Sequence, residues 1–244
     1  LIGKGKSARN THERSYPQRV PCASNPGLAK ILTSVMTNLA AQGASEVMVW
    51  MSEYPAAQCE CEACVKQGQY RGEARAALQA WKEARAGAHR DLKLSVFFGR
   101  GGRGSPPRYP DQEIQDIAAF LPPEVTLRVS MGCDGPDGRL MADLAAQGRR
   151  IARMDVAGLA CTSLDDLGDY AVSASEIRRR LKDIVSAKYR GAWQFTPGGQ
   201  TNVANFRIMN SYRMSALAEY SWNSKGRSVS EFTEAWACRQ GGAG

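Results

Sequence analysis

Three cysteines lie within six residues, in the segment Cys59-Glu60-Cys61-Glu62-Ala63-Cys64. Thiolates at this spacing can share one Zn²⁺ ion, which takes four ligands in structural sites. Cys22, which precedes a predicted helix, is the best candidate for the fourth ligand, and His89 is the second choice. A site built mainly from cysteine predicts a structural zinc that fastens a loop, because catalytic zinc keeps an open position and favours histidine. The alternative is unpaired thiols or one disulfide.

Glu53 is the strongest candidate for a general acid in catalysis. It directly follows the sequence Val-Trp-Met-Ser, so its carboxyl group is expected where a strand ends. A glutamic acid whose pKa is raised beside aromatic rings can protonate a glycosidic oxygen. A second carboxylate is expected from Asp134, with other choices in Asp165, Asp166 and Glu219. The alternative for Glu53 is a loop carboxylate that caps a turn or pairs with an arginine.

Aromatic and amide side chains accompany these carboxylates near predicted strand exits. Sugars are bound by such mixtures, since aromatic faces stack on pyranose C–H surfaces while carboxylates and amides bond the hydroxyls. The predicted substrate-binding residues are Trp193, Glu219, Tyr220, Trp222 and Asn223. The two histidines, at positions 12 and 89, lack the spacing of a Ser-His-Asp triad or a zincin, so neither class of hydrolase is favoured. Trp50 and Trp236 are assigned to the core.

Short apolar runs alternate with amphipathic helices along the chain, which predicts an α/β fold with a mostly parallel sheet. The predicted strands are Glu46–Met51, Leu92–Phe98, Val125–Met131, Val156–Cys161, Ala192–Thr196 and Ser215–Tyr220. The predicted helices are Pro26–Gln42, Gly72–Ala88, Asp111–Leu121, Arg139–Gly148, Ser173–Lys188, Asn202–Tyr212 and a last one after Ser228. About six strands are fewer than the eight of a complete barrel. We therefore expect a partial (β/α) TIM-type barrel that lacks early strands, with residues 1–24 irregular and residues 25–244 a single domain.

The composition is that of a globular protein, which excludes disorder, collagen-like repeats and coiled coils. The 244 residues carry a net charge of +8. The positive charges are scattered along the chain. They include two predicted loops that contain arginines, one of them at residues 149–153, and a predicted helix at residues 178–180. No nucleic-acid motif accompanies them, so a solvated surface is favoured over polyanion binding. No apolar stretch approaches the roughly 20 residues that span a bilayer, so no membrane partner is predicted.

One pattern extends from residue 21 to residue 64. It consists of Pro21-Cys-Ala-Ser-Asn-Pro26, a helix, a strand, Ser52-Glu53 and then Gln58-Cys-Glu-Cys-Glu-Ala-Cys64. This pattern resembles glycosidase-like barrels akin to α-glucuronidases and family 20 β-hexosaminidases, many of which carry a Cys-x-Cys-x-x-Cys loop after a barrel strand. The tail Ala218-Glu-Tyr-Ser-Trp-Asn223 is similar to the end of such enzymes, where an aromatic-Asn segment lines the sugar pocket. Hexosaminidases of this kind have an adjacent Asp-Glu pair where this chain has Ser52-Glu53.

The resemblance implies a glycoside hydrolase with a carbohydrate substrate, and a secreted or periplasmic location. The competing hypothesis is a catalytically inactive carbohydrate-binding or structural barrel whose cysteine loop only holds zinc. In both cases the expected cofactor is a structural Zn²⁺ on Cys22, Cys59, Cys61 and Cys64.

Overall fold

The computed structural model describes residues 2–5, 20–52, 58–87, 89–98, 111–129, 136–154, 173–193 and 211–241. These residues contain five strands, β1 (Glu46–Trp50), β2 (Lys93–Phe98), β3 (Thr126–Val129), β4 (Arg150–Met154) and β5 (Gly191–Trp193). They also contain eight α-helices: α1 (Pro26–Ala41), α2 (Glu62–Gln67), α3 (Gln69–Ala86), α4 (Asp111–Phe120), α5 (Pro136–Ala146), α6 (Ala174–Ser186), α7 (Ser211–Trp222) and α8 (Val229–Gly241). The predicted α/β class is confirmed.

The strands form one sheet in the order β1-β2-β3-β4-β5. The pairings β1–β2, β2–β3 and β4–β5 are parallel, with Val47 beside Leu94 and Val96 beside Leu127. The parallel sheet was predicted, whereas the partial barrel stays a prediction. By its internal contacts the chain divides into two compact units, residues 1–151 and residues 152–244. The prediction of a single domain over residues 25–244 likewise stays a prediction.

In the first unit, β2 is the most completely covered strand. Every side chain from Leu94 to Phe98 is buried, as expected for a parallel strand that is covered on both faces. Helices α1 and α3 pack against each other, and the buried face of α3 is made largely of alanines. Such small side chains let the two helices approach closely. Trp81 on the same face is buried, and its indole N–H donates to the carbonyl oxygen of Leu92.

In the second unit, helices α6, α7 and α8 pack in sequence order. Their core contains Phe232 and Tyr220, whose rings lie 5.6 Å apart. Arg178 on α6 lies over the ring of Tyr220 and donates to the carbonyl oxygens of Ser224 and Gly226. This arginine therefore fixes the turn between α7 and α8. Ser173 caps α6 and Ser228 caps α8, as their capping-box spacings predict.

The predicted strand Ser215–Tyr220 is wrong, because this segment lies inside helix α7. The buried residues of α7, which are Arg213, Ala216 and Tyr220, recur at the spacing of one helix face. The predicted strand Val156–Cys161 lies outside the described residues, as does most of the predicted helix Asn202–Tyr212. Four of the six predicted strands remain, and β4, which was not predicted, brings the strands among the described residues to five.

Three further local predictions are corrected. Arg150 and Arg153 do not lie in a loop, because they belong to β4, where Arg153 is nearly buried. Residues Glu62–Gln67, expected as loop, form helix α2. Trp50, expected in the core, is 39% exposed, because β1 is the first strand in the sheet order and leaves part of its side chain uncovered. Its ring still meets Phe97 edge to face at 4.7 Å. Trp236, the other tryptophan assigned to the core, is half-buried.

None of the helices among the described residues combines the length and the apolar character needed to cross a bilayer.

Candidate metal centre

Four cysteines from separate parts of the first unit meet at one point. The sulfur atoms of Cys22, Cys59, Cys61 and Cys64 all lie within 4.8 Å of one another. Cys22 Sγ is 3.8 Å from both Cys61 Sγ and Cys64 Sγ. A tetrahedral ion with Zn–S bonds of about 2.3 Å would hold its sulfurs about 3.8 Å apart, so these two distances already have the right size. The predicted grouping of these four cysteines is confirmed, and they could hold a metal ion.

The local structure explains why the four sulfurs converge. Cys22 starts a turn in which Asn25 N donates to Cys22 O, and Asn25 Oδ1 then caps α1 by accepting from Gly27 N. Cys61 is the N-cap residue of α2 and Cys64 lies in its first turn, so both lie at the start of that helix. Cys59 and Cys64 are buried, while Cys22 and Cys61 are half-buried. His89, the second choice for a fourth ligand, is not a member of this group.

The N-terminal residues 2–5 cover the same cluster. Lys4 N donates to Cys59 Sγ at 3.2 Å, and Glu60 N donates to Lys4 O at 2.8 Å. Gly3 N donates to Val20 O, next to the turn that carries Cys22. Gly5 has a φ of +93°, and an added Cβ would lie 1.6 Å from the Glu60 carboxylate. A glycine is therefore required here if this segment is to lie against the cysteine loop.

Ser24 lies among three of the sulfurs. Its backbone N–H donates to Cys64 Sγ at 3.3 Å, and its hydroxyl lies 3.3 Å from Cys22 Sγ and 3.4 Å from Cys61 Sγ. The Ser24 hydroxyl lowers the pKa of the Cys61 thiol to about 6, whereas burial raises the pKa of Cys64 to about 11. Thus one sulfur is ready to ionise near neutrality, while a buried one needs a cation to favour its thiolate.

A buried polar network adjoins the cluster. Gln69 Oε1 accepts from Cys59 N at 3.0 Å, and Gln69 Nε2 donates to Pro21 O at 2.9 Å and to Glu73 Oε1 at 2.6 Å. The Glu73 carboxylate in turn accepts from Ser52 N at 2.9 Å and from Ser52 Oγ at 2.5 Å. Burial raises the pKa of Glu73, although these hydrogen bonds oppose that effect.

Sequence reasoning missed Gln69 and Glu73, although a signal was present. Both residues continue the buried alanine face of α3 toward its N-terminus, with Glu73 four positions after Gln69 and Ala77 four positions after Glu73. A polar residue on an otherwise apolar helix face indicates a buried hydrogen-bond partner.

The predicted catalytic residues Glu53 and Asp134 lie outside the described residues. Trp193 is the last residue of β5. Four predicted sugar-binding residues lie on α7 or just after it instead of at a strand exit: Glu219, Tyr220, Trp222 and Asn223. Glu219 forms a two-point ion pair with Arg227, and Tyr220 is buried. Trp222 is 93% exposed, and Asn223 Oδ1 accepts from Lys225 N. Their sugar-binding role stays a prediction.

Comparison with known proteins gave no matching family model and no matching curated sequence. The cysteine cluster itself is therefore the best-defined feature from which a function can be argued.

Proposed function

We propose that this chain binds one Zn²⁺ ion through Cys22, Cys59, Cys61 and Cys64, as a structural centre that fastens the segment after β1. The observation that carries the proposal is the convergence of the four sulfurs, all within 4.8 Å of one another. Four cysteine ligands leave no open position for a substrate, which is the pattern of structural and not catalytic zinc. The ion would compensate the negative charge of four neighbouring thiolates.

Two features of the surroundings support this role. Backbone N–H groups of Lys4 and Ser24 donate to the sulfurs of Cys59 and Cys64 and would share the thiolate charge. The same contacts bring together residues 2–5, the turn at residues 22–25 and the cysteine loop, which are far apart along the chain. At this point the apolar contact among the three segments is mainly the contact of Ala23 with the cysteines themselves. Metal ligation would therefore be the main interaction that holds the segments together.

The test is the metal content of the purified protein and of two cysteine variants. We expect about one zinc per chain in the parent protein and a loss of at least tenfold in zinc affinity in Cys64→Ser, because a serine hydroxyl is a poor ligand for zinc. The matched control is Cys238→Ser, which replaces an exposed cysteine on α8. Replacement of zinc by Co²⁺ should give the intense absorption of thiolate-to-cobalt charge transfer. A parent protein without metal, or equal zinc affinity in both variants, would contradict the proposal.

The second candidate function is glycoside hydrolysis in a partial barrel, with Glu53 as general acid and Asp134 as the second carboxylate. The observation that favours it is the position of Ser52, which directly follows Met51 at the carboxyl end of β1 and is bonded twice by buried Glu73. Active sites of parallel α/β proteins gather at the carboxyl ends of strands. Residue 53 thus follows a well-held position at that edge.

Glu53→Gln tests this second function, with Glu234→Gln, an exposed glutamate on α8, as its control. On a panel of aryl glycosides we expect the parent and the control to turn over a substrate, and Glu53→Gln to lose at least a hundredfold in rate while sugar binding is retained. Sugar binding without turnover in the parent would favour the inactive carbohydrate-binding barrel instead. Loss of both binding and turnover only when zinc is removed would assign the metal a supporting role.

A further inference from the structure

Gln69 and Glu73 form a buried hydrogen-bonded pair, here called the Gln69–Glu73 link, between the cysteine loop and the end of β1. Gln69 is 3% exposed and Glu73 is 6% exposed. On one side the link accepts from the backbone of the ligand Cys59 and donates to Pro21, the neighbour of the ligand Cys22. On the other side it accepts from the backbone and the hydroxyl of Ser52.

The orientation of the Gln69 amide is fixed by its partners. Its nitrogen has two hydrogens, and both are used, one toward Pro21 O and one toward Glu73 Oε1. Its oxygen receives the Cys59 N–H. Turning the amide over would place two N–H donors against each other and set the Gln69 oxygen against Pro21 O and Glu73 Oε1, which is costly. A displacement of Cys59 N would therefore reach Glu73 through the Gln69 amide.

We infer that the Gln69–Glu73 link couples occupancy of the cysteine site to the position of Ser52 at the carboxyl end of β1. This inference rests on the proposed zinc site. With the four sulfurs ligated, Cys59 N and Pro21 O are held at the distances that the Gln69 amide spans. Without the ion, the four sulfurs are no longer tied to one centre, so the loop can move, and Gln69 and Glu73 lose their fixed partners. Gln69 and Glu73 are thus positioning residues for Ser52.

The amides of Ser52 and Met51 provide an internal comparison for the test. Ser52 N donates to Glu73, whereas Met51 N donates to Phe97 O across the sheet. Hydrogen exchange of both amides is measured by NMR in the full chain, first loaded with zinc and then with a chelator. We expect exchange at Ser52 to become at least tenfold faster without zinc, and exchange at Met51 to change less than threefold.

Gln69→Leu breaks the link without changing any ligand, because a leucine side chain can neither donate to Pro21 O and Glu73 nor accept from Cys59 N. In this variant we expect zinc to stay bound and exchange at Ser52 to be equally fast with and without it. The matched control is Gln79→Leu, since Gln79 Nε2 makes the same i to i+4 bond to Glu83 on the exposed face of α3. This control should respond to zinc as the parent does.

The parent protein alone keeps the inference falsifiable if Gln69→Leu does not fold. Equal Ser52 exchange with and without zinc, in a protein shown by elemental analysis to bind zinc, overturns the coupling but not the zinc site. Equal acceleration at Ser52 and Met51 also overturns it, since it means general loosening of the strand. Absence of bound zinc overturns the zinc site and, with it, the coupling.

Discussion

The cysteine cluster of the first unit and the helices α6 to α8 of the second unit are held together by different chemistry. At the cluster, residues up to 56 positions apart meet through four sulfurs and backbone hydrogen bonds, with Ala23 as the main apolar neighbour. In the helices, Tyr212, Tyr220 and Phe232 pack ring against ring over a short stretch of chain. Apolar packing needs no bound ligand, whereas the proposed zinc centre depends on its ion. The two regions should therefore respond to different perturbations.

Removal of zinc should have the largest effect, and the effect should be confined to the first region. Ligand binding stabilises the folded state by about 4 kcal/mol when the free ligand is about a thousandfold above its Kd. We expect hydrogen-exchange mass spectrometry to show lost protection in residues 2–5, 20–25 and 58–64 after chelation. Helices α7 and α8 should keep theirs. Loss of protection in both regions together would mean that the proposed metal holds more than its own segments.

Phe232→Ala should perturb only the second region. Phe232 is fully buried against two tyrosine rings, and truncation of such a side chain costs about 3 kcal/mol. Urea unfolding measures this loss, while the zinc content should stay at the parent value. Trp222→Ala is the control, because Trp222 is almost fully exposed and its truncation should change the free energy of unfolding by less than about 0.5 kcal/mol. A lowered zinc content in Phe232→Ala would show that the two regions are not independent.

The same contrast explains what sequence could predict. Metal-ligand spacing is local and chemically specific, so the cysteine loop and its partner Cys22 were found from residue types alone. Helix caps are equally local signals, as at Asn25, Ser173 and Ser228. The strand prediction for residues 215–220 was wrong because a short, partly apolar run fits a strand as well as a helix. Its alanines, leucine and glutamate favour helix, and Arg213, Ala216 and Tyr220 carry the helical period.

Other features were hidden because polar residues were assigned to the surface. Strand β4 was not predicted, because its two arginines, Arg150 and Arg153, favour a charged loop. Gln69 and Glu73 were overlooked for the same reason, although both are buried by partners that come from distant parts of the chain. Such partners are set by tertiary structure and leave no local pattern beyond their alignment with an apolar helix face. The candidate catalytic carboxylates Glu53 and Asp134 lie outside the described residues and stay predictions.

Glu176→Gln should have the smallest effect and should depend on pH. Glu176 lies in the first turn of α6 and accepts from Arg179 at 2.7 and 2.8 Å and from Arg180 at 2.7 Å. The hydrogen bond from Arg179 is the main cause that lowers the pKa of this carboxyl from its ordinary 4.5 to about 2. A lowered folded-state pKa stabilises the protein above the ordinary value, and the contribution disappears as pH falls toward the folded-state value.

Because the pair is partly exposed and screened by solvent, we expect Glu176→Gln to reduce the free energy of unfolding by only about 0.5–1 kcal/mol at pH 7. The difference between variant and parent should shrink between pH 4.5 and pH 2 in urea titrations of the metal-free proteins, which removes the competing loss of zinc at low pH. Glu234→Gln serves as the control, since its carboxylate accepts from the Ser230 hydroxyl instead of an arginine. A difference that persists unchanged at pH 2 would mean that the glutamate acts through packing, and the second region would then depend on apolar contact even at its charged helix start.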